Sequence, residues 1–291
     1  GWRVKFIVRD LIYIIYTMRD FELSFGKELD EDLNGRRIIT VLLTLTAAGC
    51  FGYFAYYYLA ASRNAGANDS LADLKKNMRK EPQVVHYREP KEDDTEPEVL
   101  AKYKTLLDKN KNLIGWIKID DTNIDYPVMK SINGNGEYYL DHNFDGKEDR
   151  NGTVFMDDAC DPVSPCDNLI LYGHNMKSGE MFGQLDYYKN QKFYENHKQV
   201  RFDTIYREGI YEVMFAFQSR VYSEAEITFK YYQFIECNSE QEFNSGIEAM
   251  AEMSLYDTGV TAEYGDELLT LSTCDYDEPE GRFVVVCKKV A

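Results

Sequence analysis

Leu268-Leu269-Thr270-Leu271-Ser272-Thr273-Cys274 alternates apolar and hydroxyl side chains, a period of two that predicts a half-buried β-strand ending on a cysteine. The polar run Asp275, Asp277, Glu278, Pro279, Glu280 and Gly281 follows and predicts a turn. Arg282 then opens a second apolar strand, Phe283-Val284-Val285-Val286-Cys287. A thiol at the mouth of one strand thus faces a guanidinium at the start of the next. Cysteine chemistry at such a place needs a proton carrier, and histidine is the usual one.

The chain offers four histidines. His86 sits among charged residues, His142 beside Asp141 and Asn143, and His197 in Glu195-Asn196-His197-Lys198. His174 differs. It follows the apolar run Asn168-Leu169-Ile170-Leu171-Tyr172-Gly173, so it too emerges at a strand mouth, with Gly173 giving the backbone freedom. Cys274, His174 and Arg282 are the candidate catalytic set. Ser272, Thr273 and Asp275, beside the cysteine, are candidates for lining a substrate groove.

Outward from these segments the pattern is mostly strands. Leu113–Ile119 and Ile124–Met129 flank the turn Asp120-Asp121-Thr122-Asn123, and Thr153–Met156 and Ile210–Val221 add two more. Helical periodicity is confined to Glu98–Lys111, Met181–Tyr188 and Ser239–Met253 within residues 99–291. Many strands with few long helices predict a barrel or sandwich rather than an α/β sheet.

The N-terminal third reads differently. Residues 38–61 carry no charge and are long enough to cross a hydrocarbon core, with Tyr53, Tyr56, Tyr57 and Tyr58 at one end like an interfacial belt. Arg36 and Arg37 precede this span, which predicts a cytoplasmic N-terminus and an extracellular C-terminal domain. A cleaved signal peptide is the alternative, disfavoured by Thr, Gly and aromatic residues where a short apolar region and a small-residue cleavage site belong. Residues 1–37 balance seven basic against seven acidic side chains around the cluster Val4–Ile15. They read as an amphipathic helix on the membrane surface, or equally as a short helix packed on the next segment. Residues 62–98 are polar, with Pro82, Pro90, Pro97 and the acidic run Glu92-Asp93-Asp94. They predict a stalk, with a helix near Ser70–Lys80 capped by Ser70. The sequence opens on Gly1 rather than Met, which reads as a missing or replaced start.

Composition narrows the function classes. A formal net charge of −17 over 291 residues argues against non-specific nucleic-acid binding, which needs a basic footprint. Six cysteines are too few for a disulfide scaffold. Cys160 and Cys166, six residues apart, read either as a small disulfide or as two free thiols. Asp141-His142-Asn143-Phe144-Asp145-Gly146 imitates the opening of a calcium loop, but Gly152 stands where the bidentate glutamate belongs, so it reads as an ordinary loop.

The combined set resembles a known family. Thr270-Leu271-Ser272-Thr273-Cys274 followed by Arg282-Phe283-Val284-Val285 resembles the cysteine signature of sortases, cysteine transpeptidases of Gram-positive cell surfaces. Asn168–Asn175 running on to Met181-Phe182-Gly183-Gln184-Leu185 resembles the histidine segment of class B in particular. Tyr138–Gly146 and Gly152–Asp157 are similar to class B as well, and the likeness covers roughly residues 99–291. It implies a mainly β fold, a closed eight-stranded barrel with peripheral helices, behind N-terminal helices and a membrane anchor. It implies Cys274 as nucleophile, His174 as general acid/base and Arg282 as oxyanion stabiliser, with no cofactor and no metal. The implied substrates are surface proteins carrying a C-terminal sorting signal, cleaved after Thr through a thioacyl intermediate. The acceptor would be an amine of a cell-wall precursor or, in a pilus-assembling enzyme, a pilin lysine. The turn between Cys274 and Arg282 is short for class B, and its acidity would favour a cationic acceptor amine. Outside the family, a papain-like peptidase wants Cys before His at a helix start, the reverse of the order here. A non-catalytic surface-binding module would make the three residues incidental.

Overall fold

The computed structural model describes residues 33–78, 97–131, 134–163, 166–277 and 279–291. Residues 1–32, with most of the predicted N-terminal amphipathic segment, lie outside the described residues. So do 79–96, with Pro82, His86, Pro90 and the acidic run at 92–94, and Glu278. The chain divides into two units, 1–62 and 63–291.

Helix α1 spans Leu33–Met78. Its 19-residue stretch Ile38–Tyr56 is long and apolar enough to cross a membrane, and Val41, Leu45, Phe51 and Phe54 on it are exposed. Thr44 and Thr46 turn their hydroxyls back onto the carbonyls of Thr40 and Leu42, at 2.6 and 2.9 Å, so their polarity is satisfied within the helix. A separate helix capped by Ser70 does not form. α1 continues through that point, and the Ser70 hydroxyl donates to the Gly66 carbonyl at 2.8 Å as a mid-helix residue does. In the second unit, Ala72 on α1 is buried in one cluster with Tyr103, Leu106 and Trp116, and Leu71 and Leu74 pack against it.

Helix α2, Ala101–Lys109, contributes Tyr103 and Leu106 to that cluster. Eight strands follow: β1 Leu113–Lys118, β2 Asp125–Met129, β3 Val154–Met156, β4 Asn168–Tyr172, β5 Gln199–Thr204, β6 Ile210–Arg220, β7 Leu268–Cys274 and β8 Gly281–Lys289. They close into a barrel in the order β1-β2-β3-β4-β7-β8-β6-β5. The β2–β3 and β4–β7 pairs are parallel and the others antiparallel. Closure leaves no free sheet edge, so the backbone groups of every strand find partners without a covering layer.

β7 is buried on both faces rather than half-buried, and the packing shows why. Leu269 and Leu271 join the core cluster of Ile117, Val128, Leu169 and Phe283. Leu268 joins a second cluster with Phe243 and Met250, which come from helix α3, Glu240–Met253. The hydroxyls between them are spent internally: Thr270 donates to Asn168 Oδ1 at 2.9 Å, and Ser272 shares a 2.8 Å bond with the Tyr231 hydroxyl. β8 shows the same double burial, with Phe283, Val285 and Cys287 on one side and Val284 and Val286 on the other. That is the reason its sequence is a continuous apolar run. The helix outside is set by its own cap, in which Ser239 Oγ accepts from the Glu242 amide at 3.2 Å.

Met181–Tyr188 is not an α-helix. Met181 takes a positive φ of 49°, and the chain makes a turn before a 3₁₀ segment at Leu185–Lys189. A short helix at Gln191–Asn196, capped by the Asn190 side chain, then leads into β5.

Candidate active site

The antiparallel β7–β8 register sets Cys274 directly opposite Arg282. The parallel β4–β7 register, with Tyr172 opposite Ser272, brings the end of β4 alongside. Past Tyr172 the ladder is carried on by two more bonds. The Gly173 amide donates to the Ser272 carbonyl at 3.2 Å, and the Thr273 hydroxyl donates to the Gly173 carbonyl at 2.7 Å. His174 is the next residue, so it leaves the sheet beside Cys274. Gly173 is required here for room: a Cβ on it would lie 2.9 Å from the Phe182 ring.

All three candidates line one cavity of about 370 Å³, together with Leu140, Tyr172 and Tyr231. Each is half-buried, exposed enough to meet a peptide yet held by the frame around it. The His174 Nε2 lies 2.7 Å from the Leu140 carbonyl. A carbonyl only accepts, so Nε2 carries the proton of the neutral ring and Nδ1 is the nitrogen left for proton transfer. Arg282 donates to the backbone carbonyls of its own turn, Glu280 at 3.3 Å and Gly281 at 2.9 Å. Among the described residues no carboxylate pairs with it within ion-pair distance.

The other described histidines, His142 and His197, are occupied elsewhere. His142 stacks on Tyr138, with Nδ1 2.8 Å from the Tyr138 carbonyl, and His197 stacks on Phe193 in the same manner. In the calcium-like loop the Asn143 Oδ1 accepts from the amides of Asp145 and Lys147, so this oxygen holds the turn itself. Cys160 and Cys166 are both buried free thiols whose sulfurs approach the same Asn168 carbonyl, at 3.6 and 3.2 Å.

The neighbours of Cys274 are placed unequally. Ser272 and Thr273 line the cavity, but both are buried with their hydroxyls already engaged. Asp275 does not line it. Its buried carboxylate turns away to receive Gln218 Nε2 at 2.7 Å and Lys189 Nζ at 3.1 Å. Burial alone would raise this carboxyl, but hydrogen bonds from Gln218, the Asp277 amide and Lys189 outweigh it and hold it below the usual range. Lys189 also reaches Asp186 at 3.6 Å and Asp277 at 3.2 Å. Burial would lower the Lys189 ammonium, yet these carboxylates raise it overall. Two acidic residues of the β7–β8 turn, Asp275 and Asp277, are therefore held from behind by Lys189. Nothing in the sequence around Lys189 signalled this position, because two of its three partners, Asp275 and Asp277, lie in one distant segment.

Comparison with known proteins decides the family. The family model for the sortase domain matches residues 117–290. The chain belongs to the sortases, in their class B. Sortase B of Staphylococcus aureus is 32% identical over 193 residues, which cover 65% of this chain and 75% of that protein. The crystal structure of sortase B from B. anthracis in complex with AAEK1 superposes with a TM-score of 0.65 at 32% identity, covering 80% of this chain and 99% of that one. A Staphylococcus aureus sortase B–substrate complex superposes with a TM-score of 0.67 at 26% identity, over 80% and 98% of the two chains. The sortase is thus a cysteine transpeptidase. Its family acts at the cell surface on sorting-signal substrates with amine acceptors, and the apolar stretch Ile38–Tyr56 suits a membrane anchor.

Proposed function

We propose that this sortase cleaves a C-terminal sorting signal after Thr with Cys274 as nucleophile, and passes the acyl group to an amine of a cell-wall precursor. The observation that carries this reading is the convergence on one groove of a β7 thiol, a β8 guanidinium and an imidazole brought in by β4. The Cys274 thiolate attacks the threonine carbonyl, and the tetrahedral oxyanion forms beside Arg282, which pairs with no carboxylate among the described residues. Arg282 keeps its proton throughout, so it stabilises negative charge without taking part in proton transfer. Protonated His174 gives its Nδ1 proton to the departing amine. The thioacyl carbonyl is then attacked by the incoming amine, which loses a proton to the same nitrogen as the thiolate leaves. Ser272 and Thr273 support the floor of the groove through their backbones.

The same reading places residues 1–37 on the cytoplasmic side, 38–61 in the membrane, 62–98 as a stalk and 99–291 as the extracellular catalytic domain. Arg36 and Arg37 before the span support that orientation.

The full-length chain in detergent, given a panel of sorting-signal peptides with and without amine acceptors, should release the C-terminal fragment and form the peptide–amine product. A thioacyl adduct on Cys274 should be visible by mass spectrometry. Cys274→Ala should abolish both cleavage and adduct; a Cys274→Ala protein that still processes the peptide overturns the assignment.

A further inference from the structure

The bonds that carry β4 past its end do not stop at His174. The next residue, Asn175, is buried, and its Nδ2 donates to the Cys274 carbonyl at 2.7 Å. The second hydrogen of the same amide reaches Asp186 Oδ2 at 2.9 Å. Both partners are acceptors, which fixes the amide orientation with the nitrogen toward them. The Asn175 backbone is also held, by a bridge to Met181 and by the Tyr276 hydroxyl donating to its carbonyl at 3.1 Å.

These contacts have a geometric consequence. Once β4 leaves the sheet, no backbone bond is left to tie its continuation to the last residue of β7. Asn175 replaces that bond with a side chain, and His174 lies between it and the Gly173 ties. The imidazole-bearing residue is thus clamped on both sides to the strand that bears the thiol. Asp186 keeps the amide turned toward Cys274, and is in turn held by Lys189.

We infer that Asn175 is a positioning residue of this transpeptidase, holding the Cys274 backbone and the His174 segment in fixed register. The inference rests on the proposed roles of Cys274 and His174. It concerns the reaction geometry and not substrate affinity, because the amide faces the protein and is absent from the groove lining. Displacements on the scale of 1 Å between reacting groups cost about a hundredfold in rate.

The test is steady-state kinetics on the full-length chain with a sorting-signal peptide and an amine acceptor, with Tm recorded on the same samples. Asn175→Ala should lower kcat by about 10- to 100-fold while KM stays within about threefold, at a temperature well below its Tm. A kcat within twofold of the unsubstituted chain, or a loss confined to KM, overturns the inference. If Asn175→Ala does not fold, Asp186→Asn carries the test: it keeps the Cys274 contact but removes the charge that orients the amide. It should lower kcat about three- to tenfold with KM unchanged, and an unchanged kcat overturns the inference. An unsubstituted chain that forms no product would instead reject the reading on which the inference rests.

Discussion

Lys189 and Arg282 are two cations set close to the end of β7, and the fold treats them in opposite ways. Lys189 lies behind the strand with Asp186, Asp275 and Asp277 within 3.1–3.6 Å. Arg282 lies on the groove side and, among the described residues, donates only to carbonyls of its own turn. The first charge is used up in holding the β7–β8 turn. The second, on the proposed reading, meets a negative charge that exists only during the reaction. The Lys102 cluster confirms what a structural cation looks like here: its ammonium is nearly buried between Asp203, at 2.7 Å, and Glu208. A cation with several carboxylates is part of the frame, whereas a half-buried one that meets none among the described residues is available for chemistry.

Substitution at Arg282 should show the larger effect. Arg282→Met should lower kcat by about 10²- to 10³-fold, the usual loss for one oxyanion donor, while the denaturant midpoint stays close to that of the unsubstituted chain. A large loss of stability with little loss of kcat would reverse the contrast with Lys189.

Lys189→Met should do the opposite. It strands the Asp275 carboxylate, whose side chain is 4% exposed, and should cost on the order of 3 kcal/mol in urea unfolding. Adding Asp275→Asn should return most of that loss, because the uncompensated charge is then gone. A double variant no more stable than Lys189→Met would show that the attraction between the two groups is not what holds the turn.

The smallest expected effect is a pH dependence. Asp275, Asp266 and Glu267 all have carboxyls held below their ordinary values. In each, burial works the other way but is outweighed: by Gln218 and Lys189 at Asp275, by the Glu263 backbone and Lys288 at Asp266, and by Arg207 and Lys289 at Glu267. A carboxyl lowered in the folded state stabilises it above the unfolded value of roughly 4, and that contribution fades as pH falls through the folded value. Urea midpoints measured from pH 6 down to pH 3 should therefore decline mainly below about pH 4. The Asp275→Asn variant should show a shallower decline, and an identical slope would remove Asp275 from the set.

The same contrast explains what could be read from the sequence. Cys274, His174 and Arg282 were legible because each stands where an apolar strand begins or ends, a place composition alone marks. The helix at Glu240–Met253 was legible through its helical periodicity. Strand β5 was not: Val200, Phe202 and Thr204 do alternate with Arg201 and Asp203, but the run is short and follows directly on a polar stretch. Met181–Tyr188 has helical spacing but is bent by the fold into a turn and a 3₁₀ segment. The double burial of β7 was hidden because the covering helix lies between β6 and β7 in sequence and its packing partner could not be inferred locally. Asn175 and Lys189 escaped for a related reason. Their work is defined by partners 99 and 86 residues away.

The parallel pairing of β4 with β7 also governs when the enzyme can exist at all. The bond from Asn175 to Cys274 spans 99 residues, and Arg282 enters only with β8, the strand that joins β6 to β7 and closes the ring. Closing loops of that size is slow compared with local helix or hairpin formation. A nascent chain therefore carries a thiol and an imidazole for some time without a groove to combine them. On the proposed reading, the thiol gains its partners only when the barrel is complete, and its activation is a folding event.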